Sequence, residues 1–304
     1  MTAGSAPTPA LASLHWARPR FGGAVRGELL KLRRQRPTLV MTTLGVLFLA
    51  VVMLVYATNP TLQAQLVHHP LSGFYGILSP LQLFFTMGAG IAILLTASRL
   101  LGMEYDLGTI RVLLGRGTGR WQMLFAKLVA VAIYALVLLV GFTLLAAVGT
   151  LVVVQHQTGS VGLLEQLPGV AWGNLGLALL ACAISEFSCI LLALAMASLL
   201  RSVTGGMLLA VLFFPVDNGL AVALPQMQHV TGAAGWAEAT AFLYGPSLNR
   251  LPGLLQLHRP QLYAGLATPA VHTSLPETLT VVGAWWLLLL ALSALSLSRH
   301  DVLS

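Results

Sequence analysis

The chain has 304 residues, of which 57% are hydrophobic and only 8% are charged, and its mean hydropathy is +0.85. A soluble domain carries about 25% charged residues because it needs a wetted surface, so this composition excludes a soluble globular protein. The apolar residues come in long unbroken runs rather than in the short alternating strands of a β-barrel. The sequence therefore predicts an all-α integral membrane protein.

The net charge of +7 does not indicate nucleic-acid binding. The basic residues lie at the ends of apolar runs, where they set the topology and contact lipid headgroups. All Lys and Arg residues except Arg250 and Arg259 lie before the first apolar run, around the connector that follows the second, or at Arg201 and Arg299. This bias predicts a multi-pass protein of the cytoplasmic (inner) membrane with both termini in the cytoplasm.

The N-terminal region has two parts. Residues 1–20 are rich in Ala, Pro and Ser and have no apolar core, so they predict a flexible cytoplasmic tail rather than a signal peptide. Residues 21–36 predict an amphipathic helix on the membrane surface. Its apolar face would carry Phe21, Val25, Leu29 and Leu32, and its cationic face Arg26, Lys31, Arg33 and Arg34. Pro37 would end this helix.

The rest of the chain, residues 37–304, predicts a transmembrane domain of six helices. Their approximate bounds are 38–57, 80–98, 121–154, 171–200, 205–224 and 277–297. Pro215 would interrupt the fifth span. The segment 225–276 is predicted as the largest outer loop.

The connector after the second span carries the most informative pattern. It reads GMEYDLGTIRVLLGRGTGRWQMLFAK over residues 102–127, with Leu107, Ile110 and Leu114 at helical spacing beside Glu104 and Arg111. A charged cytoplasmic segment with an apolar stripe suits the docking of a partner. By pattern alone, an ordinary positive loop that anchors the topology explains it as well.

Several of these features resemble the type-2 ABC transporter permeases. The connector resembles theirs in Glu104, Gly108-Thr109, Arg120 and Lys127. The amphipathic segment resembles the elbow helix of that family, and the six spans with a large outer loop match its architecture. One departure is Gly117-Thr118-Gly119, where the family usually has Ser or Pro-Ser before the basic residue.

The resemblance implies a function. The chain would be the membrane subunit of a bacterial ABC exporter that pairs with a second copy or a paralogue and forms the translocation pathway. The connector would be the coupling helix, and Glu104, Gly108, Thr109 and Arg111 would belong to its docking surface for a separate ABC ATPase. This chain would bind no cofactor, because ATP and Mg would lie on the partner.

The residues themselves argue against an ATPase of the P-loop type. A P-loop needs Gly-Lys followed by Ser or Thr. The two lysines, Lys31 and Lys127, neither follow Gly nor precede Ser or Thr. No other motif predicts an enzyme.

Two acids fall inside predicted spans. Glu186 shares a helix face with Cys182 and Cys189. It would line the translocation pathway or a subunit contact, or else be a protonated residue that only holds packing. These three groups lack a fourth ligand, so no metal site is predicted. Asp217 follows Pro215 and is expected near the outer surface, where a broken helix re-enters.

Two other functions stay open on the sequence alone. One is a proton-driven secondary transporter with Glu186 as the carrier. The other is a membrane assembly factor that transports nothing.

Overall fold

The computed structural model describes residues 20–110, 112, 119–233, 235–256 and 266–298. Within these ranges the chain forms α-helices joined by short turns and contains no strand, so the all-α prediction is confirmed. The α-helices are α1 (Phe21–Arg34), α2 (Arg36–Ala57), α3 (Pro60–His68), α4 (Pro70–Asp106), α5 (Arg120–Thr158), α6 (Gly169–Leu200), α7 (Val203–Thr231), α8 (Gly235–Ala239), α9 (Tyr244–Leu255) and α10 (Leu275–Ser298).

Among the described residues, six helices are long and apolar enough to cross a membrane, as predicted: α2, α4, α5, α6, α7 and α10. They do not contribute equally to the core. The most apolar stretches of α4 and α6 are 56% and 61% buried, against 11% to 22% in the other four. The helices α4 and α6 therefore form the centre of the bundle, and the other spans bury little of their surface within this chain.

Prolines do not end the spans in the way the sequence suggested. The helix α4 begins ten residues before the predicted start of the second span and continues through Pro80. The helix α7 continues through Pro215 and Pro225. A proline removes one backbone hydrogen bond, and neighbouring helices in a membrane protein compensate for that loss. Pro37 lies in the first turn of α2, where its missing N–H costs nothing.

The segment predicted as one large outer loop is partly helical. It includes the end of α7, the short α8 and the amphipathic α9, which buries Tyr244, Leu248 and Leu251 against α6, α7 and α10. The ring of Tyr244 stacks on Trp285 at a centroid distance of 5.3 Å. Trp285 lies ten residues into α10, or about 15 Å from its start. Since α10 is one of the helices long enough to cross a membrane, α9 begins beside the middle of a candidate span, which is the position of a re-entrant helix.

The helix α1 packs against α4 and α5, and its buried residues are Val25, Glu28 and Leu32. Phe21, predicted on the apolar face, is 45% exposed. The helix α1 therefore meets the bundle at one end, together with the last turn of α4, the first turns of α5 and the turn between α6 and α7. We call this the charged end.

Candidate functional site

Four charged side chains meet at the charged end. Glu28 and Lys31 come from α1, Glu104 from the last turn of α4 and Lys127 from the third turn of α5. We call them the charge cluster. Its two acids balance its two bases, and it contains both lysines of the chain.

Lys127 is the centre of the cluster. Its side chain has no exposed surface, and its Nζ lies 2.7 Å from Oε1 of Glu104 and 3.1 Å from Oε2 of Glu28. It also donates a hydrogen bond of 3.2 Å to the carbonyl oxygen of Leu100. An ammonium group has three hydrogens, so these three acceptors satisfy it fully. A buried lysine requires such pairing, because an unpaired charge in the interior is very unfavourable.

Lys31 completes the cluster from the surface. Its Nζ lies 2.8 Å from Oε1 of Glu28 and 2.8 Å from Oε1 of Glu104, and its side chain is 47% exposed. Lys31, predicted on the cationic face of this helix, thus also pairs with acids of the bundle through its ammonium group. Partial burial lowers the pKa of Lys31, but the hydrogen bonds and charges of Glu104 and Glu28 outweigh burial and raise it above 10.5. Lys31 stays cationic at any physiological pH.

The sequence explains how the cluster assembles. On a helix, residues three and four apart are neighbours, so Glu28 lies on the same face as Val25, Leu32 and Lys31. When Val25 and Leu32 pack against the bundle, they carry Glu28 inward to meet Lys127. The cluster thus joins α1, α4 and α5 at the point where the chain leaves α4.

The connector beyond the cluster turns sharply outward. The helix α4 ends at Asp106, and Gly108 has a φ of +65°, a conformation that favours glycine. Leu107 is 67% exposed, and Gly108 and Thr109 are exposed as well. Arg111 lies outside the described residues. Of the residues predicted for docking, Glu104 is buried in the cluster whereas Gly108 and Thr109 are on the surface.

A second contact fixes the end of α4 to the start of α7. The carboxylate of Asp106 accepts a hydrogen bond of 3.2 Å from the backbone N–H of Val203. Gly102 lies so close to the same residue that an added Cβ would stand 2.7 Å from the Cα of Val203. The connector therefore leaves the fold at a place where α4 packs against α5 and contacts the turn that joins α6 to α7.

Asp217 lies in a different polar contact, at the start of the re-entrant helix. Its Oδ2 accepts a hydrogen bond from the backbone N–H of Gly245 in the first turn of α9. Next to it, Asn249 donates 2.7 Å to Oδ1 of Asn218 and 2.8 Å to the carbonyl oxygen of Ala267. We call these residues of α7 and α9 the α7–α9 joint. They satisfy backbone and amide groups that would otherwise be unpaired at membrane depth.

Glu186 lies in α6 and is 4% exposed. Its Oε1 has no hydrogen-bond partner in the structure described. Cys182 and Cys189, which lie on the same face of α6, are buried as well. Within the described residues, no cluster of three or more His, Cys, Asp or Glu side chains is arranged to hold a metal ion. The side chain therefore faces the interior of its own subunit.

The comparison with known families identifies the class of protein. A family model described as an ABC-2 family transporter protein matches residues 24–216. The chain belongs to the ABC-2 transporter family. It is thus a multi-pass membrane protein of a transport family whose members are membrane subunits without an ATPase of their own. Membership of the ABC-2 family implies an ABC ATPase partner in general. No curated protein matches the chain.

The region shared with the ABC-2 family contains the whole charge cluster. Glu104 and Lys127 were recognised from the sequence pattern, whereas Glu28, which supplies an oxygen to each lysine, was not. A signal was available: Glu28 is an acid on the apolar face of a helix that is otherwise basic. A charge on a buried face needs a partner of opposite sign, and Lys127 is the one lysine placed within an apolar run.

Proposed function

We propose that this chain is the membrane subunit of an ATP-driven exporter in the cytoplasmic membrane. Two such subunits, identical or paralogous, form the translocation pathway, and a separate ATPase binds ATP and Mg. Both termini and the α4–α5 connector lie in the cytoplasm. The family assignment and the concentration of Lys and Arg at the charged end support this arrangement.

The observation that carries the proposal is the position of the charge cluster directly behind an exposed connector. Leu107 and Val112 present apolar side chains that are 67% and 54% exposed, as a docking surface requires. When the ATPase moves this surface, α4, α5 and α1 follow together, because separating them would leave buried charges unpaired. The contact between Asp106 and Val203 extends the same motion to α7.

Glu104 acts in this scheme as a positioning residue. Its carboxylate is inside the cluster, so Leu107, Gly108 and Thr109 make the contacts with the ATPase while Glu104 holds the base of the connector. Substituting Glu104 by Gln then weakens the coupling of ATP hydrolysis to transport without removing the docking surface.

Copurification tests the proposal. The full chain, extracted from its native membranes, retains an ATPase, and Leu107→Glu lowers the retained amount at least about tenfold because it places a charge in an apolar contact. Val230→Glu is the matched control, since Val230 is 81% exposed near the far end of α7. Loss of the ATPase in both variants, or its absence from the unmodified chain, overturns the proposal.

The structure offers little support for a proton-driven transporter. Such a mechanism needs Glu186 to exchange protons with both sides of the membrane. Glu186 is buried within its subunit, and it lines neither the apolar cavity around Phe74 and Trp172 nor the apolar groove along residues 41–51 of α2. Transport that persists without ATP but stops when the proton gradient is removed would favour it.

A further inference from the structure

An apolar groove runs along the outside of the bundle between α2, α4 and α5. It has a volume of about 730 Å³ and is lined by side chains from residues 41–51, 84–92 and 137–145. On α2 its wall includes Leu44, Leu47 and Val51, all more than half exposed. We call it the α2 groove. We propose that the α2 groove holds an acyl chain of an anionic phospholipid whose headgroup binds the arginines at the groove's charged end.

The lining predicts an apolar occupant. Thr42 is the only polar residue among those that line the groove, all of which the structure describes. Its hydroxyl is already used, since it donates 2.9 Å to the carbonyl oxygen of Thr38 and lies 3.2 Å from the hydroxyl of Tyr134. The groove therefore has no free polar group to offer a polar ligand. A hydrocarbon chain has no hydrogen-bonding groups, so it leaves none unpaired when it lies in the groove.

The length of the groove matches one leaflet. Residues 41–51 of α2 extend about 15 Å at 1.5 Å per residue. The hydrocarbon layer of a bilayer is about 30 Å thick, so one leaflet spans about half of that. The groove also begins about five residues, or roughly 8 Å, after Arg36. An acyl chain in the groove would thus have its headgroup near the corner between α1 and α2.

The charges at that corner predict an anionic headgroup. Arg33, Arg34 and Arg36 are all exposed, and none is in an ion pair in the parts of the chain that the structure describes. Glu28, the acid nearest to them in sequence, and Glu104, which pairs with the neighbouring Lys31, are already neutralised by the lysines of the charge cluster. Basic residues at the membrane surface attract anionic lipids, each by up to about fivefold in affinity, and salt screens part of this attraction.

The same charges argue against a second copy of the chain as the occupant. Most homodimers are two-fold symmetric, so the same patch faces itself across the interface. A two-fold contact along the α2 groove would bring these three arginines close to those of the other copy. Juxtaposed like charges oppose association, whereas an anionic lipid neutralises them.

Native mass spectrometry of the full chain tests the proposal. The protein is exchanged into detergent with equal amounts of phosphatidylglycerol and phosphatidylcholine that carry the same palmitoyl and oleoyl chains. We expect phosphatidylglycerol to be retained about tenfold more than phosphatidylcholine. Gly45→Leu and Gly141→Leu, tested separately, fill the groove from two walls, and an added Cβ meets nothing within 4 Å at either position. Each is expected to abolish most of the retained lipid.

Matched variants separate the site from general attraction to lipid. Gly173→Leu adds the same side chain on α6, at a position that also has open space but lies outside the groove, and leaves retention unchanged. The double variant Arg33→Gln with Arg36→Gln lowers the preference for phosphatidylglycerol at least fivefold. Arg20→Gln with Arg26→Gln removes two exposed arginines farther from the groove and has a smaller effect.

Three outcomes would overturn the proposal. Equal retention of the two lipids shows that the arginines select no headgroup. Retention that survives both groove leucines shows that the lipid binds elsewhere. A shift from dimer to monomer in the leucine variants, with lipid retention unchanged, shows that a second copy covers the groove. None of these outcomes depends on whether an ATPase copurifies.

Discussion

The charge cluster and the α7–α9 joint are both polar contacts between helices, but they are built from different chemistry. In the cluster, full charges on three helices neutralise one another over distances of 2.7 to 3.1 Å. In the joint, a carboxylate and two amides bind backbone groups and one another. The cluster therefore depends on charge, whereas the joint depends on hydrogen-bond acceptors in the right place. Variants that keep one property and remove the other distinguish the two.

The largest effect is expected from Lys127→Met. This change leaves Glu28 and Glu104 close together with only the half-exposed Lys31 between them. Breaking a buried ion pair from one side costs about 3–5 kcal/mol in the free energy of unfolding. Denaturant or thermal unfolding of the purified protein in detergent measures it. Arg36→Met, at an exposed and unpaired position, is the control and should change stability by less than about 0.5 kcal/mol.

Glu28→Gln is expected to have the next largest effect. Lys127 keeps Glu104 and the carbonyl of Leu100 as acceptors, so its ammonium group remains paired with a carboxylate. The loss should be about 1–3 kcal/mol, the range for a charged hydrogen bond removed from a buried group. An unchanged unfolding curve would mean that α1 is not held to the bundle through this residue.

The joint should respond to substitution in the opposite way. Asp217→Ala removes the acceptor for the N–H of Gly245 and should cost about 1–2 kcal/mol. Asp217→Asn retains an acceptor of the same size and should cost less than about 0.5 kcal/mol, because Asn caps a helix as well as Asp does. The same unfolding measurement compares the two variants. Equal losses for Ala and Asn would show that the charge matters here as well.

The smallest effect is expected from Lys31→Gln. Since the side chain is 47% exposed, its ion pairs are screened by water and contribute less than about 1 kcal/mol. The raised pKa gives this contribution a direction with pH. It is fully present below the unfolded pKa of 10.5 and is lost as pH rises through the higher folded pKa. The difference in melting temperature between the unmodified protein and Lys31→Gln should therefore be constant from pH 7 to 9 and shrink above about pH 10.5.

The fold was predictable from the sequence because hydrocarbon constrains it strongly. Long apolar runs with charges at their ends have few solutions other than spanning helices. The prediction was less accurate where the backbone enters the membrane without crossing it. The helix α9 carries Asn249, Arg250 and several glycines and prolines, so its composition resembles that of a loop. Its position depends on Tyr244, Asp217 and Trp285, which are far apart in the sequence.

The candidate site was predictable only in part, for a related reason. Glu104 and Lys127 lie in a recognisable connector, but their relation to Glu28 spans 99 residues from α1 to α5. Helical periodicity placed the apolar residues of α1 correctly at Val25 and Leu32. It did not show that an acid between them would follow them inward. Only the partner on another helix makes that burial favourable.

Because both lysines belong to the charge cluster, reagents that modify amines act selectively on that cluster. Apart from the terminal amine, Lys31 and Lys127 are the only primary amines in the chain. When the charge cluster is intact, an acylating reagent can reach Lys31 but not Lys127, whose side chain has no exposed surface. The rate at which Lys127 is acylated, measured peptide by peptide, would therefore report how often α1 detaches from α4 and α5. Acylation of this native lysine would thus measure the opening of the charge cluster without an engineered label.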